Sequence, residues 1–414
     1  MNFFAYRDGT LCAEKVPLPA IAARFGTPCY VYSRAALESA YREFEQASTG
    51  HDVLICYAIK ANSNLAVLNL LARLGSGFDI VSGGELARIL AAGGTASKTV
   101  FSGVGKSEAE MRAALAAGVL SFNVESEGEL ERLSDVARGM GRKAPVSLRI
   151  NPDVDPKTHP YISTGLRENK FGIPHEDAPR LLRKTASLPG LQLIGIGFHI
   201  GSQITEIEPF VASLEKILEF ADVAEADGTR LQHVDVGGGL GIRYRDERPP
   251  AAKELVARLI ERLGQRELKL IVEPGRSLVG NAGILLTRIE YLKHGAARDF
   301  AVTDAAMNDL LRPALYDAWH DVLPVAKRSG PTRSYDIVGP VCESADFLAR
   351  GRSLAVAGGD LLAVASAGAY GMSMSSNYNS RPRAAEVVVD GETAHLVRER
   401  EREDQLFASE RLLP

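Results

Sequence analysis

The run Val53-Leu54-Ile55-Cys56-Tyr57-Ala58-Ile59-Lys60-Ala61-Asn62 decides how the rest of the chain is read. Its first half is apolar, the composition of a buried strand. Lys60 therefore stands at the C-terminal end of that strand, where an ammonium is poorly solvated. Desolvation lowers a lysine's pKa and frees its amine to attack a carbonyl. A lysine that closes a strand can also snorkel to water. The hexapeptide Tyr57–Asn62 does not choose between these readings, and the sequence around it has to.

From about residue 53 to 275, short apolar runs alternate with amphipathic stretches. Eight strands are expected, over 53–60, 77–82, 99–103, 120–125, 146–151, 193–200, 233–238 and 269–274. Helical spacing of apolar residues recurs between them, over 84–93, 107–117, 126–139, 206–226 and 251–264. Eight strand–helix repeats predict an α/β fold with a (β/α)8 barrel. An open doubly wound sheet usually has fewer strands and would want a dinucleotide fingerprint after the first, which is missing. After about residue 280 the runs Ile284–Leu286, Phe300–Val302, Tyr335–Val338, Leu361–Val364 and Val387–Val389 are set apart by Gly, Asp and Pro, which predicts a mainly β C-terminal domain. The expected division is 1–30, a hairpin-bearing segment packing with the β domain; 31–280, the barrel; and 281–414, the β domain.

Composition narrows the classes. Across 414 residues, 48 Lys+Arg face 52 Asp+Glu, so nothing favours nucleic acid as a partner. No apolar run reaches membrane-spanning length and the start lacks the layout of a signal peptide. Cys12, Cys29, Cys56 and Cys342 form no CxxC pair, which argues against a zinc site or disulfide framework and for a reducing cytoplasm.

In a barrel, function sits where strands end. Those ends carry Lys60, His199, the run Gly237-Gly238-Gly239-Leu240-Gly241, and Glu273-Pro274-Gly275-Arg276. The loops after strands seven and eight are the fold's usual phosphate site. A glycine run lets backbone amides approach a phosphate, although it can also be a plain tight turn. Gly275 and Arg276 add an amide and a guanidinium. A phosphate site, a reactive lysine and a carboxylate together point to pyridoxal phosphate, with Lys60 as its Schiff-base lysine and Glu273 keeping the ring nitrogen protonated. His199 is placed to stack on the ring and Ser202 to reach the phosphate, although a lone strand-end histidine is usually a hydrogen-bonded core residue.

The chain resembles the diaminopimelate decarboxylases, of the alanine-racemase-like class of pyridoxal-phosphate enzymes, almost from end to end. The resemblance rests on Tyr57–Asn62, on Asn151–Asp155 through His159–Gly165 to Asn169–Gly172, on the His199 segment, the glycine run and Glu273–Arg276. It continues through Met307–Tyr316, Gly339-Pro340-Val341-Cys342-Glu343-Ser344 and Gly368–Ser373. Ala345 stands where glycine is more often expected.

The resemblance implies decarboxylation of meso-2,6-diaminopimelate at its D centre to L-lysine and CO2, the last step of lysine biosynthesis, by a cytoplasmic homodimer with shared active sites. It implies that Lys60 holds the cofactor and is displaced by the substrate amine. Gly239, Glu273, Gly275 and Arg276 would bind the cofactor, and Tyr370 would touch phosphate and substrate. Arg276, Arg312, Tyr316 and Glu343 would bind substrate, and Cys342 of the partner subunit would donate the proton. The chemistry agrees, because a distal carboxylate wants arginines and a distal ammonium wants a carboxylate. A thiol is also a sensible acid near neutral pH, although a free cysteine is more often a small buried hydrophobe.

Three rivals remain. A decarboxylase acting on ornithine, arginine or a carboxylated polyamine would share the fold, but Arg312 would be wasted on ornithine. A racemase would need two opposed bases. A non-catalytic cofactor carrier would have no use for Arg312, Cys342 and Glu343. Segment 152–170 is long enough to be a lid.

Overall fold

The barrel strands form along short, mainly apolar runs, and each is parallel to the next. In the computed structural model, which describes residues 3–155 and 169–414, they are Val53–Ala58 (β1), Gly77–Ile80 (β2), Thr99–Phe101 (β3), Ser121–Val124 (β4), Ala144–Asn151 (β5), Leu191–Gly197 (β6), His233–Asp235 (β7) and Lys269–Val272 (β8). Register runs from Cys56↔Gly77 through Phe78↔Thr99, Val100↔Ser121, Phe122↔Val146, Leu148↔Ile196, Ile196↔Val234 and Val234↔Leu270 to Leu270↔Val53. The last pairing returns to β1, so the eight strands close into the expected (β/α)8 barrel. Residues 156–168, most of the segment expected to form a lid, lie outside the described residues.

The helices after β2, β3 and β4 begin at serine. Ser82, Ser107 and Ser126 each accept a hydrogen bond from the amide three residues on, at Glu85, Glu110 and Glu129. Such a cap contributes about 1 kcal/mol. Glu110 does more than close a reciprocal box with Ser107, because its Oε1 also accepts from the Gly83 amide at 2.8 Å. Neighbouring helix starts are thereby tied together directly outside the strand ends.

The chain divides into two units, one holding residues 40–242 and 248–277 and the other 1–39, 243–247 and 278–414. The second is built on a nine-stranded sheet whose central strands are Asp299–Thr303, Gly283–His294, Cys29–Ser33 and Ala385–Asp390. Cys29–Ser33 straddles the boundary expected at residue 30. It is buried throughout because it lies between Gly283–His294, antiparallel, and Ala385–Asp390, parallel. Leu18, Ile21, Val31, Leu286, Val387 and Val389 fill the core beneath it. At the hairpin Phe4–Arg7/Thr10–Ala13, Asp8 and Gly9 both take positive φ, 47° and 79°, as a two-residue turn of this hand requires.

One packing detail in the barrel has a consequence for acid stability. Gly195 on β6 sits opposite His233 on β7, and a methyl on Gly195 would stand 2.1 Å from the imidazole. The ring occupies that space, and its Nε2 has no hydrogen-bond partner among the described residues. Burial, with Lys269 adding to it, lowers the His233 pKa to about 4. The folded state therefore binds this proton less readily than the unfolded chain does, and stability is lost as pH falls from about 6.5 towards 4. We expect His233→Leu to lose roughly 2 kcal/mol less than wild type between pH 7 and 4.5 in urea titrations. Parallel losses would exclude His233 as the source.

Candidate active site

Apolar strands bring a set of polar side chains to one rim of the barrel. Lys60 follows β1 in the short turn Ile59–Ala61. Asp79 lies on β2, Asn123 on β4, Asp235 ends β7 and Glu273 follows β8. All but Lys60 are buried. Lys60, Asn123, Asp235 and Glu273 line a cavity of about 460 Å³ with Ser102, Arg149, Phe171 and His199.

The bonds among these groups fix their charges. Lys60 Nζ is 2.6 Å from Oδ2 of Asp79, and Asp79 Oδ1 is a buried oxygen with no hydrogen-bond partner among the described residues. Asn123 Nδ2 donates to Asp235 at 3.0 Å and, more weakly, to Glu273 at 3.4 Å. Asp235 also accepts the Gly237 amide at 2.9 Å. Two buried carboxyls this close cannot both ionise readily. Burial, then Asp235 and Asp79, push Glu273 well above the ordinary carboxylate range, so the proton shared by the pair rests on Glu273.

His199 is held neutral by the same logic. Burial, followed by the charges of Arg149 and Lys60, takes its pKa well below the usual value. Its Nδ1 accepts the Gly238 amide at 3.2 Å, so the ring proton is on Nε2. Arg149 is held by Glu125 at 2.9 Å and lies over the Phe171 ring.

The glycine turn is glycine for steric reasons. A methyl on Gly238 would stand 2.0 Å from the Glu273 carbonyl oxygen, and one on Gly239 would stand 2.4 Å from that of Gly201. Gly237 takes φ +66° and faces the His199 ring. At the other corner a methyl on Gly275 would stand 3.2–3.3 Å from Ala58 and Ala61, a tight but milder contact. Arg276 is buried and donates from Nε and Nη2 to Ser202 Oγ at 3.3 and 3.0 Å. A cradle that any Cβ would fill, a guanidinium with a hydroxyl beside it, a lysine at the rim and a proton-bearing carboxyl pair suit an anionic tail and a basic ring nitrogen. That donor set fits pyridoxal phosphate.

Within the β unit, Arg312 begins the helix Arg312–Tyr316 and is buried, while Tyr316 at its other end is half-buried. Cys342 and Glu343 are exposed, and the Cys342 amide donates to Asn379 Oδ1 at 2.9 Å. Glu343 accepts the Tyr378 hydroxyl. The loop bearing them is held by buried Asp346, which accepts the amides of Val341 and Met307 at 2.8 and 2.7 Å. Ala345 is not among the residues with positive φ, so its backbone makes no demand for glycine. Tyr370 is half-buried with φ +55°.

Comparison with known proteins agrees with this geometry. Residues 34–280 match the family model of the pyridoxal-dependent decarboxylase, pyridoxal binding domain. Diaminopimelate decarboxylase from Pseudomonas aeruginosa is 60% identical over 414 residues, covering 100% of both chains. The chain belongs to the diaminopimelate decarboxylase family. Among solved members, the enzyme from Helicobacter pylori complexed with L-lysine is 40% identical, with a TM-score of 0.92 over 95% of this chain and 99% of that one. The M. jannaschii enzyme in co-complex with L-lysine is 37% identical, with a TM-score of 0.94 over 100% of this chain and 98% of that one. Pyridoxal phosphate is the cofactor of the family.

Sequence reading passed over Asp79, Asn123, Asp235 and Arg149. The signal was present, because each is a polar residue flanked by apolar ones inside a buried strand, as in Phe78-Asp79-Ile80 and Val234-Asp235-Val236. Such residues are costly to bury unless they are paired.

Gly238→Ala tests the cradle. Relieving a 2.0 Å contact with backbone requires the turn to move. We expect the Kd of the apoprotein for pyridoxal phosphate, read by equilibrium dialysis, to rise about 10-fold or more, the scale of a 1–3 kcal/mol overpacking cost. Gly128→Ala, whose methyl meets open space on its helix, should leave it unchanged.

Proposed function

We propose that this chain decarboxylates meso-2,6-diaminopimelate at its D centre to give L-lysine and CO2, the last step of lysine biosynthesis. The observation that carries the reading is the rim itself: Lys60, neutral His199 and the proton-bearing Asp235–Glu273 pair around one cavity, with the glycine turn hydrogen-bonded to His199 and Asp235. Family membership over the whole chain supports it. Bound pyridoxal phosphate supplies an electron sink for the pair released when the bond to the departing carboxylate breaks.

The residues divide the remaining work. Lys60 holds the cofactor between turnovers through Nζ, and Asp79 fixes where that amine stands. Glu273 serves the ring nitrogen, where its shared proton is useful. His199 offers an uncharged aromatic face. The amides of Gly238, Gly239 and Gly275, with Ser202, Arg276 and Tyr370, hold the phosphate. Arg276, Arg312 and Tyr316 take the distal carboxylate, Glu343 the distal ammonium, and Tyr370 also touches substrate. Cys342 Sγ returns a proton to the carbon that lost CO2.

Cys342 is the exposed one of four free cysteines, and Glu343 beside it is exposed too. Exposure of an acid that must work in a water-poor site supports its serving a second copy of the chain, in a two-fold dimer with shared sites. The absence of a disulfide among the four thiols supports a reducing, cytoplasmic setting. Among the described residues, no helix is long and apolar enough to cross a membrane.

The direct test is CO2 release from meso-diaminopimelate by the purified holoenzyme, and none above background would end the reading. In the same assay Arg312→Lys keeps the charge but loses the planar fork. Its kcat/KM should fall roughly 10- to 100-fold, the loss of about 1.5–3 kcal/mol for a hydrogen bond to a charged group. An unchanged value would remove Arg312 from the substrate site.

Sharing of sites is tested by mixing. Lys60→Ala and Cys342→Ala should each be nearly inactive as homodimers. After subunit exchange half the dimers are mixed, and each mixed dimer holds one site with neither change. Activity should recover to about a quarter of wild type by two-fold site counting. No recovery after verified exchange would assign Cys342 to its own chain's site.

A further inference from the structure

Arg312 is buried, and a buried guanidinium must be held by something. Two of its neighbours carry no charge. Its Nη1 lies 2.9 Å from Nε2 of His320, and its Cζ lies 4.7 Å from the centre of the Tyr244 ring. His320 is fully buried, and its Nδ1 lies 2.8 Å from the carbonyl oxygen of Ala365. A carbonyl only accepts, so Nδ1 bears the ring proton. A guanidinium only donates, so Nε2 offers its lone pair. The two contacts admit one form of the imidazole, neutral and protonated on Nδ1.

The ring is braced on other sides. Tyr244 packs edge-on against it at 5.3 Å. The His320 carbonyl accepts Nη2 of Arg352 at 2.9 Å, and the Arg352 guanidinium lies 3.2 Å from the centre of the Trp319 ring. Arg245 lies 4.3 Å from the same ring.

The chemistry of this acceptor matters. An Asp or Glu in the place of His320 would orient Arg312 equally well, but it would form an ion pair and spend the charge that a substrate carboxylate needs. A neutral imidazole orients the guanidinium and adds no counter-charge. We propose that His320 is a positioning residue for substrate selection: it fixes the Arg312 fork without neutralising it, and so sets the preference for ligands that carry a distal carboxylate. The proposal rests on the assignment of Arg312 under Proposed function.

The test uses the holoenzyme and two probes that carry no carboxylate at the reacting end and so are not decarboxylated there. L-lysine keeps the distal carboxylate and 1,5-diaminopentane lacks it. Their Kd values are measured by calorimetry for wild type and variants. His320→Gln places a neutral amide oxygen near the Nε2 position and should keep most of the preference for L-lysine. His320→Glu places a carboxylate there and should weaken L-lysine about 10-fold or more, the scale of one charge-assisted hydrogen bond, with 1,5-diaminopentane unchanged or tighter. His320→Asn has no atom at the Nε2 position. It is expected to show the loss for L-lysine alone and replaces the Glu variant if that one does not fold.

Equal weakening of both probes would mark His320 as merely structural and overturn the proposal. So would L-lysine binding as tight as wild type in the Glu or Asn variant. Arg312→Lys is run beside them. If it weakens L-lysine while the His320 variants do not, His320 alone is excluded. If Arg312→Lys also leaves L-lysine unchanged, the assignment of Arg312 has failed and the His320 proposal falls with it.

Discussion

The pairing of Leu270 with Val53 carries the rest of the barrel's chemistry. It joins the last strand to the first and turns a twisted parallel ladder into a closed ring. In a closed parallel barrel every strand ends on the same rim. Residues as far apart in sequence as Lys60 and Glu273 then line one cavity, each at or near the end of a strand whose other residues are apolar. Closure leaves little room for surplus atoms, and glycine is required where main chain meets main chain at the rim, as at Gly238 against Glu273.

Electrostatics at the rim follow from burial. Three carboxyls, on Asp79, Asp235 and Glu273, are almost inaccessible to water. Each is handled differently. Asp79 takes the charge of Lys60, Asp235 takes hydrogen bonds from Asn123 and Gly237, and Glu273 keeps a proton. One fold thereby presents carboxyl groups in distinct protonation states within one cavity, which is how environment assigns roles to chemically equal side chains.

Much of this was legible in the sequence because it is local. Six of the eight strands fall inside the runs picked out by apolar composition, Ala144–Asn151 and Leu191–Gly197 each begin two residues earlier than expected, and Lys60, His199, Glu273 and the glycine turn stand at strand ends where the fold places function. The hairpin at Asp8-Gly9 was legible for a similar reason, since two residues dictate its turn. What escaped notice is non-local. Cys29–Ser33 reads as an isolated apolar strand, and nothing near it announces partners at Gly283–His294 and Ala385–Asp390. Asp79, Asn123 and Asp235 are single polar letters in apolar words, and they become a network only after closure sets them side by side. His320 is eight residues from Arg312, but the helix ends at Tyr316, so the contact depends on the irregular path of the chain after it.

The turn at Gly237–Gly239 has a mechanical consequence as well. The Glu273 amide donates to the Gly237 carbonyl at 2.8 Å, the Gly237 amide donates to Asp235 at 2.9 Å, and the Gly238 amide donates to His199 at 3.2 Å. The first of these bonds joins the turn to Glu273 through main chain alone, and the other two hold the Asp235 carboxylate and the His199 ring against the turn. The span from the turn to the Glu273 main chain is therefore fixed and acts as a gauge. A ligand whose anionic and basic ends match that span is accepted with little rearrangement, and one that is a bond longer or shorter must bend strands to fit.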